Sequence, residues 1–489
     1  MDVKEVFHLA RRRAKSFVFL AVLGLSWAAT TANAQAPNRS SASNPYFGSV
    51  TTHSASDEAL KLSLDEAVRR GLENNLGLKE AESGEKLFQG EKNEALQQFL
   101  PTIALNGSTG VFQHNLAALG FGPGALKQIG SSFPGGLPAG LSLITRDDLT
   151  QGQLSFRQTL FSGPVFAGWR AAGAAHRSAY FAKMSARGEV VQQVATAYLH
   201  VIADESEVNN ARALESADQV LLDHAHASHE AGTVAKLDEL RARVQMQTQQ
   251  QVLIAAQNQR EKDLILLKRE IGIDPGQRIV LSDPAPYSDL AAQTPAEVRT
   301  VAYKNRQDYQ NLQNQVLELR AVHSAYRSQR LPSLSFSGYY GVDKVNGIPS
   351  HGVFAAVGTL NVPIFREAGL RGESGVSAAQ LSATRSQLDD LRSHIDQQVR
   401  SALLDVQASA KLVEVAKSNV ELATTALSDE TDRVNAGVDD NLPLVTAQAT
   451  VAAAQSDYVE SLYQYNLSKL GLARATGVIE QQYRAYLGR

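Results

Sequence analysis

The chain carries one sequence pattern twice, and this internal duplication is the feature that most restricts its fold. Four residues of the first half recur in the second half at one constant spacing, namely Glu66, Asn74, Leu100 and Pro101 against Glu297, Asn305, Leu331 and Pro332. A second block recurs at a spacing shorter by about 26 residues, with Ala231, Gly232, Leu237, Ala242 and Gly272 against Ala436, Gly437, Leu442, Ala447 and Gly477. The difference falls in residues 114–150, whose Gly- and Pro-rich composition is typical of a loop. We therefore expect two equivalent halves that differ mainly in one long loop.

Each half has the same order of predicted elements. A helical segment of about 38 residues opens it (62–99 in the first half) and ends at a Leu-Pro pair, because proline cannot continue a helix. Two strands follow, at about 102–113 and 151–162 in the first half and at about 333–343 and 352–365 in the second. Their apolar residues recur with period two, as Leu334, Phe336 and Tyr340 do against Ser333, Ser335 and Ser337. This alternation predicts sheets with one apolar and one polar face.

Two long segments without proline, at about 168–230 and 370–435, are predicted as helices of about 90 Å. Gly232 and Gly437 end them, since glycine is the usual residue just beyond a helix. Return helices at about 236–271 and 441–476 follow. Because the two shorter helices of a half together match the long one, we expect them to lie end to end and antiparallel beside it.

The N-terminus is predicted to be a cleaved signal peptide, residues 1–34. A basic stretch, Arg11 to Lys15, precedes an apolar run, and Ala32-Asn33-Ala34 has the small-x-small pattern of a cleavage site. A non-cleaved anchor is the alternative. Residues 35–60 are rich in Ser and Asn and predict a flexible arm, with residues 44–48 as a local docking point. The first repeat then covers 61–284, the second 285–480, and a C-terminal tail 481–489.

Composition excludes several classes of function. Lys and Arg number 47 against 50 Asp and Glu, which argues against nucleic-acid binding. The chain has no cysteine, so disulfides and thiolate metal sites are excluded. No phosphate-binding loop or nucleophile elbow is present, so we predict neither an enzyme nor a cofactor. His226 and His229 could share a metal ion, but solvated histidines near a turn are the favoured interpretation, and no metal site is predicted.

The strands decide how the long polar helices are interpreted. Helices alone would suggest a solvated coiled-coil rod. Four strands of about eleven residues, however, fit the length of tilted transmembrane strands, whereas a bacterial barrel needs at least about eight strands. Strands from several copies must therefore join, and the helices would extend the barrel into a polar-lined tube. A passive porin would need more strands per chain, and a trimeric coiled-coil adhesin would carry a passenger domain; both remain as alternatives.

The short motifs and their order resemble the TolC family of outer-membrane efflux proteins over nearly the whole mature chain. The motifs are Leu62-Ser63-Leu64-Asp65-Glu66-Ala67, Leu100-Pro101-Thr102-Ile103, Leu331-Pro332-Ser333-Leu334 and Val362-Pro363-Ile364-Phe365. The resemblance implies a mixed membrane α/β-barrel fold: a homotrimer with a 12-stranded transmembrane β-barrel in outer-membrane lipid and a coiled-coil periplasmic tunnel. It also implies a channel subunit of a tripartite efflux or type I secretion system in a Gram-negative-type cell. The implied partners are a periplasmic adaptor and an inner-membrane pump of RND, ABC or MFS type, and the transported substrate is not indicated.

The resemblance further assigns roles to the two glycine turns at the periplasmic tip. The implied adaptor-docking residues are Gly232, Thr233, Val234, Leu237, Gly437, Val438 and Leu442. Pro443 and Thr446 stand where the family commonly has the carboxylates that narrow the tunnel. We therefore expect Asp238 with Asp439 or Asp440 to supply the constriction charge. A solvated charged turn is the alternative interpretation.

Overall fold

The computed structural model describes residues 44–51, 55–115, 144–233, 235–283, 287–291, 293–345, 348–436 and 441–488, together with residues 118, 124 and 128. Within these ranges the side chains of residues 145, 435, 441 and 442 are not described. The predicted signal peptide and most of the 114–150 loop lie outside the described residues. The predicted repeat boundary at 284/285 also lies there, so it stays a prediction.

The described elements follow the duplicated order that the sequence predicts. The first half contains β1 (Leu60–Leu62), α1 (Leu64–Asn74), α2 (Leu76–Gln97), β2 (Thr102–Asn115), β3 (Ile144–Phe161), α3 (Gly163–Glu230) and α4 (Lys236–Ile271). The second half contains β4 (Ile279–Leu281), α5 (Pro295–Asn305), α6 (Gln307–Ser328), β5 (Ser333–Val345), β6 (His351–Asn361), α7 (Glu367–Asn435), α8 (Asn441–Ala475) and α9 (Ile479–Tyr486). The predicted fold class, a duplicated chain with four long strands and long helices, is confirmed.

The opening helix of each half is broken into two, where the sequence predicted one continuous helix. Asn75 leaves the helical conformation (φ −61°, ψ 132°), and its side chain accepts a hydrogen bond from the backbone N–H of Leu78. Its amide also donates to the carbonyl oxygen of Tyr46 at 2.7 Å. Arg306 makes the equivalent break in the second half with ψ 119°. At Asn75 the break arises because an asparagine side chain competes for backbone groups and starts a new helix, whereas the Arg306 side chain makes no capping hydrogen bond.

Four strands form one antiparallel sheet in the order β2-β3-β5-β6. β3 begins at Ile144, seven residues before the predicted start, because residues 144–150 pair with 109–115 of β2. β6 ends at Asn361 rather than 365, since Pro363 has no N–H to donate to a strand ladder. The sheet therefore unites both halves of the chain in one layer.

The long helices α3 and α7 have 68 and 69 residues and span about 100 Å each. α2 and α4 pack beside α3, and α6 and α8 pack beside α7, which is the arrangement that the helix lengths predicted. α3 also packs along α6, so the two halves share a helical interface that the sequence did not indicate. Among the residues that the structure describes, no helix is both long and apolar enough to cross a membrane.

The main apolar core lies partway along the long helices, where the small elements β1, β4, α1, α5 and α9 pack around them. We call this region the equatorial belt. β1 pairs in parallel with β4, and the side chains of Leu267, Ile271, Ile395 and Leu472 are fully buried. Each such burial stabilises the fold by about 1.5–3 kcal/mol. The belt therefore holds the long helices together at one level.

Residues 44–51 and α9 dock on the equatorial belt, which the sequence did not indicate. Residues 44–51 of the predicted flexible arm are held by the backbone, since Leu76 donates to Gly48 and Val50 donates to Asn74, each at 2.9 Å. The predicted C-terminal tail contains α9, whose Tyr483 hydroxyl donates to Asp65 at 2.6 Å. Composition indicated neither contact, because both join residues far apart in sequence.

Candidate membrane sheet and helical tip

The sheet has one face of exposed apolar side chains, as the period-two pattern predicts. One row crosses all four strands in register: Leu105 pairs with Leu154, Leu154 with Tyr340, and Tyr340 with Phe354. Leu105 is 81% exposed, Tyr340 69% and Phe354 78%. An apolar surface of this kind marks a site that another apolar phase or protein covers.

The opposite face of the sheet is polar. Asn106 donates to the hydroxyl of Ser155 at 3.0 Å, and Gln151 donates to the Asp343 carboxylate at 3.4 Å. Ser335 and Ser337 point to the same face, since they alternate with the apolar residues of β5. The two faces therefore suit two different media, one apolar and one aqueous.

β2 and β6 are the outer strands of this sheet. Each is long, with 14 and 11 residues, and each pairs with one neighbour in the described structure. An outer strand leaves one row of backbone N–H and C=O groups available for pairing with another chain. The sheet can therefore be extended at both edges by further copies.

An aromatic cluster lies where the strands continue into the helices. Phe161 and Phe166 are 55% and 52% exposed, and Phe365 is 92% exposed. Trp169 packs edge-on against Phe99 with ring centroids 6.2 Å apart. Aromatic rings, tryptophan above all, are enriched at membrane–water interfaces, so this cluster marks one boundary of the apolar face.

An ion-pair network lies between the turn after α6 and the start of α7, just beyond this boundary. The Glu367 carboxylate lies 3.0 Å from Arg330 and 2.8 Å from Arg371. Hydrogen bonds from these two guanidinium groups lower the pKa of Glu367 to about 2. The network therefore links the turn after α6 to the first turn of α7.

The first tip is a glycine turn between α3 and α4. Gly232 has φ +75°, and no atom of the described residues would lie within 4 Å of an added Cβ. Its N–H donates to His229 at 2.9 Å, and Thr233 donates to Ser228 at 3.0 Å. This pair of bonds is the Schellman arrangement that ends a helix. The glycine is required by its backbone conformation, while the described residues leave its surface open.

The predicted functional residues of the first tip lie on that open surface. Thr233 is exposed, and Leu237 is 55% exposed in the first turn of α4. Asp238 lies beside it and pairs with Arg241 at 3.1 Å. Val234 lies outside the described residues. The structure thus places Gly232, Thr233, Leu237 and Asp238 within one turn region.

The second predicted tip lies between α7 and α8. Gly437, Val438, Asp439 and Asp440 lie outside the described residues. Leu442 falls in the first turn of α8, but its side chain is not described. Pro443 occupies the same first turn, where a missing N–H costs little.

The sequence pattern did not indicate that a buried carboxylate lies at the first tip. Glu239 is 8% exposed and lies 3.2 Å from His226, 4.0 Å from His229 and 2.9 Å from Arg243. The two histidines, interpreted from sequence as solvated, therefore face a carboxylate across the turn. The spacing of His226 and His229 was visible, but their partner stands on the next helix.

Comparison with known proteins agrees with this architecture. Residues 67–272 and 298–478 match the family described as outer membrane efflux protein. The probable efflux pump outer membrane protein SepC of Pseudomonas putida strain F1 is 24% identical over 309 residues. That alignment covers 59% of this chain and 60% of SepC, so the chain spans about three fifths of this relative.

Solved structures share the fold at low sequence identity. The open-state MtrE outer membrane channel of Neisseria gonorrhoeae is 18% identical, with a TM-score of 0.68 over 88% of this chain and 94% of MtrE. The CmeC outer membrane channel of Campylobacter jejuni is 14% identical, with a TM-score of 0.68 over 89% and 92% of the two chains. Because the family match covers most of both repeats, the chain belongs to the outer membrane efflux protein family and is an outer-membrane protein.

Proposed function

We propose that the chain is the outer-membrane channel subunit of a tripartite efflux or type I secretion system. The observation that carries this proposal is the two-faced sheet whose strands run directly into helices of about 100 Å. Such a subunit carries substrates from the periplasm to the exterior as a duct and performs no catalysis of its own. The work comes from an inner-membrane pump of RND, ABC or MFS type.

The proposal includes a homotrimer. Four strands cannot close a barrel, and bacterial barrels have at least about eight, so strands of several copies must join through β2 and β6. Two copies would supply eight strands and three copies twelve, and the family resemblance favours three. In this arrangement the row from Leu105 to Phe354 faces lipid, and the side of Asn106 and Asp343 faces water. The helices of three copies then form the wall of a periplasmic tunnel.

Conductance through a planar lipid bilayer tests this duct directly. We expect the purified chain to produce stepwise, ohmic currents, because a polar-lined tube conducts ions. A preparation that inserts as a trimer but carries no current would contradict the proposal.

The constriction charge is proposed to come from Asp238 together with Asp439 or Asp440. Rings of carboxylates favour cations in a narrow pore, so replacing all three with alanine should lower the cation-to-anion permeability ratio. Arg241 partly neutralises Asp238, and Arg241→Ala should therefore raise that ratio.

A matched control is Asp390→Ala, since Asp390 is an exposed acid on α7 far from the tip in sequence. We expect it to leave selectivity unchanged. Equal selectivity in the triple variant and the unmodified channel would make the assignment wrong and favour a solvated turn.

Adaptor docking is proposed at Gly232, Thr233, Val234 and Leu237 of the first tip, with Gly437, Val438 and Leu442 of the second. A photo-crosslinking amino acid at exposed Leu237 should capture a periplasmic coiled-coil protein in cells of the source bacterium. The same amino acid at Leu87, which is 57% exposed on α2, is the control position. Capture at Leu87 but not at Leu237 would place the adaptor elsewhere.

A further inference from the structure

Three side chains meet between α3 and α4, well away from the tip and the sheet. His200 and Asp204 stand one turn apart on α3, and Asp263 faces them from α4. The Nδ1 atom of His200 lies 3.4 Å from Asp204 Oδ2 and 3.3 Å from Asp263 Oδ2. One ligand-type atom from each residue lies within 4.8 Å of the other two. A nitrogen and two carboxylate oxygens therefore converge on one point.

These distances fit ligands of a common ion better than a direct ion pair. Tetrahedral zinc with bonds of about 2.0–2.1 Å to nitrogen and oxygen separates its ligand atoms by about 3.3–3.4 Å. A charge-assisted hydrogen bond between imidazole and carboxylate would bring the atoms to about 2.7–2.9 Å. The observed spacing of His200 from both carboxylates matches the first value.

The burial of the two carboxylates favours a bound cation. The side chains of Asp204 and Asp263 are only 13% and 17% exposed, and in the described part of the chain no lysine or arginine forms an ion pair with them. Two carboxylates held this close repel each other unless a positive charge stands between them.

Two neighbouring side chains hold the ligand groups in place. Gln259 donates to Asp263 Oδ2 at 2.6 Å, which orients the carboxylate. The ring of Tyr463 on α8 packs edge-on against His200, with centroids 5.2 Å apart. Such contacts around the ligands fix their direction in metal sites. His200 is 41% exposed, so its side of the cluster is open to an arriving ion.

We propose that His200, Asp204 and Asp263 bind a divalent transition-metal ion, with zinc as the best match to one imidazole and two carboxylates. The fourth position of the ion is open and takes water. The ion links α3 to α4 across the first-half hairpin and, through the contact of Tyr463 with His200, lies beside α8. The site thus joins three helices of the tunnel wall near the equatorial belt.

Zinc titration of the full-length, detergent-solubilised protein, expressed without a histidine tag and treated with chelator, tests this site. Isothermal titration calorimetry should give one zinc ion per chain. His200→Gln and Asp263→Asn should each weaken zinc binding at least about tenfold, since each removes one of three ligands. Replacing zinc by cobalt should add the visible absorption of a tetrahedral Co²⁺ ion, which these variants should lose.

His224→Gln is the matched control, because His224 is an exposed histidine on the same helix. It should bind zinc as the unmodified protein does. His226→Gln tests the other histidine cluster, at the tip. Absence of zinc binding, or its loss in His226→Gln but not in His200→Gln, would overturn the proposal. Circular dichroism and gel filtration show which variants are folded. If His200→Gln does not fold, the nearly isosteric variant Asp263→Asn decides whether the site binds zinc.

Discussion

Two adjacent tyrosines on β5 allow a direct test of which face of the sheet meets lipid. Tyr340 belongs to the apolar row and is 69% exposed, whereas Tyr339 lies on the polar face and is 39% exposed. Tyr340 is the eighth of 13 residues of the strand. At a rise of about 3.3 Å per residue and a tilt of about 40°, it lies within about 3 Å of the strand's mid-height.

The depth of Tyr340 sets the expected cost of placing a charge there. An arginine on the lipid face near the bilayer midplane costs about 2–4 kcal/mol, whereas positions facing the lumen tolerate charge. Tyr340→Arg should therefore lower the free energy of unfolding by about 2–4 kcal/mol per chain. Tyr339→Arg should change it by less than about 1 kcal/mol, although the chemical change is the same.

Urea titration of the protein folded in phospholipid vesicles, followed by tryptophan fluorescence, measures both values. The two variants are matched in position and in side-chain chemistry, so the difference between their free energies of unfolding reports only which face of the sheet carries the charge. Equal costs would refute the assignment of the lipid face, and a larger cost for Tyr339→Arg would reverse it.

Three further predictions concern the stability of the fold. Gly272 has φ +75°, and an added Cβ would lie 2.8 Å from the Cβ of Asn74, so Gly272→Ala should lower the free energy of unfolding by about 1–3 kcal/mol. Gly84→Ala, within α2 and with no described atom inside 4 Å of an added Cβ, should raise it by about 0.5–1 kcal/mol in the same urea titration. Burial lowers the pKa of Lys469 from 10.5 to about 8. Between about pH 8 and 10.5 the lysine is therefore protonated in the unfolded chain but largely neutral in the folded chain. The free energy of unfolding should be lowest below pH 8 and should rise by up to about 3 kcal/mol across this range. Lys469→Met should abolish that rise in unfolding titrations across this pH range; an unchanged rise would assign it to another group.

Local signals explain why much of this fold could be predicted from sequence. Alternation in β5 shows directly which residues share a face, and Pro101 and Gly232 end their elements by backbone chemistry alone. The duplication doubled each signal, because a weak pattern that recurs in the same order is strong evidence. Helix lengths then restricted how the helices could pack.

Contacts between residues far apart in the chain could not be predicted from the sequence. β1 and β4 have three residues each, and neither is recognisable as a strand until the other is beside it. Asn75 looked like one polar residue within a helix, and its contact with Tyr46 could not be predicted from the sequence.

The same limit applies to the two polar clusters. Asp263 meets His200, and Glu239 meets His226, only once the register of α3 against α4 is known. Helical periodicity gives the face of each residue but not this register, since sliding one helix by a turn preserves the pattern.

The central claim is that three copies close a barrel and a continuous tunnel, and electron cryo-microscopy of the detergent-extracted protein tests it most directly. We predict a hollow particle with threefold symmetry, a β-barrel at one end and a helical stalk of about 100 Å. A single chain, a different symmetry, or a solid rod without a barrel would contradict the claim and restore the solvated coiled-coil interpretation.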